Sequence, residues 1–306
     1  MERWIQFSLL FPVLYATTNF VDKALLSGIN ARIMPIYTAT VGLMAGVVFF
    51  VLTGFPIIPL KDVIIIMATG VLNTLSLIVY FKALNSCETS KVNILFEIIP
   101  LFVLILGYLF LGETITLIQF IGFVMVLSAV LGVAYFEEKK TECGNEENSD
   151  KLSKTMVIVY IMIFNMMFAI AGVLAKFVMN ETSFSAVLSY ESFGIGLGGL
   201  IILIFSKKIR KEFLESKISW KQKSYVGLNE TIYVLAKTCT FYAFSLGPVA
   251  LVSVIGSIQP FIAVAMGWLL TILNPKIFKE NISKKSLTVK FIAALVIIFG
   301  IYLIQS

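Results

Sequence analysis

Residues 137–150 read EEKKTECGNEENSD, the one long stretch of this 306-residue chain without a large apolar side chain. Around it the chain is 58% hydrophobic and 14% charged, with a mean hydropathy of +0.94. Soluble domains carry about 45–50% apolar and about 25% charged residues, so a water-soluble fold of this length has too little polar surface to cover such a core. A helix crosses the hydrocarbon core of a bilayer in roughly 20 apolar residues. Before the polar stretch, runs of that length occupy 5–27, 33–53, 61–84, 90–111 and 116–136; after it they occupy 155–180, 184–205, 222–246, 248–273 and 286–304. The sequence therefore predicts an all-α membrane protein of ten transmembrane helices, with units 1–136 and 155–306 separated by a polar linker, 137–154.

The formal charge of +6 would point to nucleic acid in a soluble chain. Here the lysines fall in loops between apolar runs, where a positive-inside bias accounts for them, and no nucleic-acid partner is expected. One face collects Arg32, Lys139, Lys140, the cluster from Lys207 to Lys223, and Lys276 to Lys285; the other receives little beyond Arg3 and Lys61. That bias places both termini outside and the long loops in the cytoplasm of a plasma-membrane protein. Trp220 within the basic segment suits a stretch lying along lipid headgroups. Arg3 precedes the first apolar run with no small-residue cleavage site, so that run reads as a retained helix. Cys87, Cys143 and Cys239 lack the spacing of a disulfide framework or a zinc site. The chain has no histidine, which removes the commonest metal ligand and general base. No metal or cofactor is expected.

Sliding the two units against each other reveals a repeat. Under one shift Phe81, Ala83, Val92, Ile98 and Pro100 recur as Phe241, Ala243, Val252, Ile258 and Pro260. A slightly different shift relates Ala16, Lys23 and Tyr37 to Ala169, Lys176 and Tyr190. Each unit has an odd number of spans, so its copy enters the membrane from the opposite face and the two form inverted five-helix repeats, an architecture that favours alternating access.

Ionisable side chains inside the spans are the informative ones, because a charge near the bilayer centre costs about 2.5–3.5 kcal/mol even on a lenient insertion scale. The acids are Asp22, Glu97, Glu191 and Glu230; the bases are Lys23, Lys82, Lys176 and Lys237. Such groups either pair to fix helix register and snorkel at helix ends, or line a polar site. Glu230, Tyr233 and Lys237 share one helical stripe flanked by Asn229, a layout suited to a zwitterion or to a self-satisfied ladder. Asn93, Glu97 and Pro100 occupy neighbouring turns of the fourth span, and Ser253, Ser257 and Pro260 repeat the pattern in the ninth. The two prolines are candidate hinges beside polar groups at mid-membrane; the alternative is a packing kink with hydroxyls bonded back to the helix. Asn19, Asn73 and Asn165 are amides inside helices, which either bond a solute or join helices. Tyr190 and Glu191, about two turns into the seventh span, complete the candidate solute-binding set. Without histidine a carboxylate is the natural proton carrier, so Glu191 and Glu230 are the candidates for proton coupling. Glu113 lies in a tight turn where it is expected to cap the fifth helix. Gly194, Gly196, Gly198 and Gly199 form a smooth face suited to close helix packing rather than phosphate binding.

Tyr80-Phe-Lys-Ala-Leu84, Pro100 in the next span, Leu111-Gly-Glu-Thr-Ile-Thr116 and Gly122 resemble the EamA-type drug/metabolite transporter superfamily. The second unit matches with Phe241-Tyr-Ala-Phe-Ser-Leu-Gly-Pro248 and Gly256-Ser-Ile-Gln-Pro260, and Asp22-Lys-Ala-Leu-Leu26 and Ala175-Lys176 extend the likeness over nearly the whole chain. The resemblance implies a ten-helix, twice-five inverted fold around a central cavity, and secondary transport of amino acids, sugars, nucleotide derivatives, cations or drugs. The chain departs from the pattern where the Gly-Glu turn would recur, with Asn274-Pro275 in its place. The expectation is a secondary active transporter, proton-coupled or exchanging, that moves a small polar metabolite, amino acid or drug-like solute by alternating access, as a monomer or homodimer among membrane lipids. A passive channel and a membrane-embedded enzyme are the alternatives. For the latter, no H-E-x-x-H, G-x-S-x-G or G-x-x-x-x-G-K motif is present.

Overall fold

A computed structural model describes residues 2–86, 95–96, 98–138, 154–216, 218–259, 261–263, 265–266 and 284–305. The first unit contains α1 (Arg3–Leu25), α2 (Met34–Leu52), α3 (Leu60–Ser86), α4 (Ile99–Leu106), which runs into a π-helical turn at Gly107–Leu111, and α5 (Leu117–Glu138). The second contains α6 (Lys154–Met179), α7 (Phe184–Phe205), α8 (Lys207–Glu215), α9 (Trp220–Leu246), α10 (Val249–Gly256) and α11 (Lys284–Ile304). Apart from the fourth and ninth, the expected spans coincide with these helices to within two residues. Asn93, Glu97, Pro260, Cys87, Cys143, the Asn274-Pro275 turn and linker residues 139–153 lie outside the described residues.

Among the described residues four helices, α2, α3, α6 and α7, are long and apolar enough to cross a membrane, with mean hydropathies of 1.8 to 2.5. Helices α1 and α9 are as long, at 23 and 27 residues, but carry Asp22 and Lys23, and Glu230 and Lys237. These two pack against each other. Their polar faces thereby turn toward protein and away from lipid, which is where a charge in a membrane span must point.

The packing follows an inverted duplication. Helix α1 packs on α9 and on α10, and the equivalent α6 packs on α3 and on α4; α2 meets its own counterpart α7, and α5 meets α11. Two buried clusters give the direction. One joins Trp4 at the start of α1 to Val178 at the end of α6, and Ile66 early in α3 to Phe244 late in α9. The other joins Leu25 at the end of α1 to Val157 at the start of α6, and Leu84 late in α3 to Val226 early in α9. Equivalent helices therefore run antiparallel, as an odd number of spans per unit requires.

Repeat register is written in two lysines. Lys23 donates to the Leu84 carbonyl at the end of α3, 2.5 Å away, and Lys176 donates to Phe244 at the end of α9, also at 2.5 Å, and to Gly247 at 3.3 Å. Each ammonium sits where helix carbonyls lack intrahelical partners and the helix dipole is negative.

Helix α7 presents its glycines to two neighbours. A methyl on Gly194 would fall 2.2 Å from the Met67 carbonyl oxygen of α3, and one on Gly199 would fall 2.4 Å from Cβ of Ala39 in α2. The absent side chains let the backbones approach, and Thr74 of α3 donates to the Ile195 carbonyl at 3.0 Å across that contact.

Two expectations are corrected. Glu113 does not cap α5; Thr116 and Gln119 do, through reciprocal bonds of 3.2 and 3.0 Å. With Gly112 at φ 65° turning the chain, the Glu113 carboxylate instead accepts the Val249 amide at 2.9 Å, at the start of α10 in the other unit. The basic segment after α7 does not lie wholly on headgroups. Its helix α8 turns Ile209 and Phe213 onto the cluster around the α1–α2 connection, where Phe213 meets Tyr37 with ring centroids 5.3 Å apart and Glu212 pairs with Arg32 at 3.2 Å. An apolar face on a short amphipathic helix finds closer packing against protein than lipid offers. Trp220 remains exposed.

Candidate functional site

Helices α1, α2, α3, α4, α6, α9 and α10 enclose a cavity of about 130 Å³ between the two units. Two broken helices border it. The fourth span has a turn at Ile98 before α4 begins, and the ninth has a turn at Ser257 and Ile258 after α10 ends, positions that the repeat shift superposes. Pro100 lies in the first turn of α4 and lines the cavity. It starts a helix where the sequence predicts a kink within one, because a proline in a first turn needs no amide partner.

Asp22, Glu230 and Thr38 form the polar wall. Asp22 accepts from Asn229 at 2.7 Å and from Tyr80 at 3.1 Å, which also reaches Asn19 at 3.0 Å. Glu230 accepts from Thr38 at 2.7 Å. The three groups that donate to Asp22 and Glu230 are buried and neutral, and no basic side chain pairs with either carboxylate among the described residues. Aromatic rings make up the rest: Tyr80, Phe96 and Phe164 stand within 5.0 to 5.8 Å of one another, and Tyr15 faces Tyr233 at 5.7 Å.

The sequence candidates divide. Asn19, Asn73, Asn229, Glu230, Tyr233, Ser253 and Ser257 line the cavity, although Ser257 also bonds back to Val254 at 2.6 Å. Lys237 does not line the cavity: it forms an ion pair with Glu191 of α7, whose other oxygen accepts from Asn73 at 2.6 Å. The zwitterion geometry is thereby not assembled: Lys237 lies two turns along α9 from Glu230 and its charge is taken by the α7 carboxylate. A void of about 10 Å³ lies behind the cavity, lined by Glu230, Tyr233 and Lys237. Asn165 is spent on the Leu95 carbonyl at 2.6 Å, a group exposed by the break before α4. Tyr190 points away from the cavity and donates to the Pro56 carbonyl at 3.0 Å, beside Phe50. Tyr15, Thr38 and Tyr80 enter the site without being singled out for it by the sequence, and Asp22, noted only as an acid within a span, joins them. Asp22 stands near a span end, which suggested the headgroups, and a tyrosine in an apolar run gives no sign of which way it faces.

A chamber lined by polar groups between inverted halves of a multi-pass membrane protein defines a membrane transport protein. The profile of the EamA-like transporter family matches residues 2–135 and 155–306, and the chain belongs to that family, one of transporters and not of enzymes. A solved structure described only as a crystal structure of a protein superposes with a TM-score of 0.67 at 13% identity, over 99% of this chain and 95% of the other, which shows a shared fold. Comparison with curated proteins finds no match.

Proposed function

We propose that this is a secondary active transporter of the cell membrane that moves a small polar or drug-like solute by alternating access and couples the movement to protons through Glu230. The observation that carries the reading is Glu230 itself: a carboxylate inside a membrane chamber, facing a solute-sized space, with one hydroxyl donor and no basic partner among the described residues. An ion so placed lacks both water and a counter-charge, so a proton or a charged solute completes it. The void shared with Lys237 supports a proton route from Glu230 toward the Glu191 pair.

Alternating access is supported by an asymmetry between the halves. Helix α3 packs along α7, while the equivalent pairing of α9 with α2 is slight. Two units with the same fold and different packing are two conformations of one design, and exchanging them moves the opening from one side to the other. In proteoliposomes, an imposed pH gradient is expected to drive saturable solute uptake and Glu230→Gln to abolish the response while counterflow persists. Unchanged pH-driven uptake in that variant removes the coupling role, and non-saturable flux would make the protein a channel.

A further inference from the structure

We infer that the solute is an organic cation, an amine or quaternary ammonium on a compact, partly aromatic body, held between Asp22 and Glu230. The inference rests on the transporter reading and names the chemistry its site selects. Every partner of the two carboxylates is neutral: Tyr80 and Asn229 for Asp22, and Thr38 for Glu230. The nearby lysines are committed elsewhere, Lys237 to Glu191, Lys23 to the end of α3 and Lys176 to the end of α9. Among the described lining residues there is no lysine or arginine.

Two carboxylates ionised together in one apolar-walled chamber would repel each other without water to screen them, so the occupant that displaces their protons and lets both ionise brings positive charge. A solute carboxylate would instead add a third negative charge and meet no ammonium or guanidinium. The rings complete the match. Tyr80 is bonded to Asp22, and Tyr233 lies one turn from Glu230 beside Tyr15, so aromatic rings line the chamber near each carboxylate, and such rings attract cations. Phe96 and Phe164 add an apolar wall for the body of the molecule.

Four compounds of one shape and different charge test this: phenethylamine, phenylalanine, 3-phenylpropionate and 2-phenylethanol, titrated calorimetrically into the full chain in lipid nanodiscs at neutral pH. Phenethylamine is expected to bind about tenfold or more tightly than the other three, and Asp22→Asn and Glu230→Gln each to reduce that preference about tenfold. Lys61→Ala, whose ammonium pairs with Glu181 on the exposed rim, is expected to leave it unchanged. The thermal midpoint of each variant establishes that it is folded; where Asp22→Asn fails this check, Asp22→Glu, which keeps the charge, is expected to retain the preference and Glu230→Gln carries the comparison. Tighter binding of the zwitterion, the anion or the neutral compound, or binding of none, overturns the cation assignment. Counterflow separates the two readings. If phenylpropionate binds best and is exchanged, the transporter stands and the cation assignment falls; if phenethylamine binds through both carboxylates without saturable counterflow, the cation site stands and the transporter falls.

Discussion

Asp22 and Lys23 are neighbours in sequence and opposites in fate. About 100° of helical turn separates them, which sends the carboxylate to Tyr80 and Asn229 in the cavity and the ammonium to the Leu84 carbonyl. The equivalent Lys176 holds two carbonyls at the end of α9. Lys176→Met is therefore expected to lower stability by about 1.5–3 kcal/mol, the range for hydrogen bonds to a charged group, as read from detergent unfolding. A wild-type unfolding curve would show that the ammonium is not needed there. Glu113→Ala is expected to cost about 1 kcal/mol through the lost cap on α10, and Glu113→Asp to recover little because the shorter acid no longer spans the two units. The sequence displayed Glu113 as a turn residue and a helix cap; which helix it caps depended on a fold that brings the other unit to it.

Helices were legible because their signal is local. A run of some 20 apolar residues has one stable form in hydrocarbon, where every amide must bond within its own segment. Which face meets which neighbour is a property of pairs. The glycines of α7 foretold close packing, and the structure adds the partners, the α3 backbone and Ala39 of α2. Gly194→Ala is expected to force α3 and α7 apart and cost about 1–3 kcal/mol, visible as a lower unfolding midpoint. Gly227→Ala in α9, where an added methyl meets nothing within 4 Å, is expected to be neutral or stabilising by up to about 1 kcal/mol. Equal effects at the two positions would remove the packing argument. Helix α8 was concealed for a related reason: its charges resemble a headgroup-facing loop, and the two apolar residues that dock it become meaningful only beside Tyr37 and the α1–α2 connection.

At the scale of the whole molecule, the α1–α2 connection and α8 meet through Arg32 and Glu212, so these two basic segments share one face. Positive-inside placement assigns that face to the cytoplasm and both termini to the outside. A reporter fused after Ser306 is accordingly expected to be silent in its cytoplasm-active form and active in its externally active form; the reverse result inverts the topology without touching the fold. By itself the sequence determined the all-helical membrane class, the division into two units, their inverted relation and the family resemblance, because apolar run length, odd span number and repeat order are all one-dimensional. Only the tertiary structure decided which ionisable groups face the chamber: it sent Lys237 to Glu191 and left Asp22 and Glu230 with neutral partners. The reason is that the environment of a charge is set by what the other helices around the chamber place within a few ångströms of it, and no pattern along a single helix carries that information.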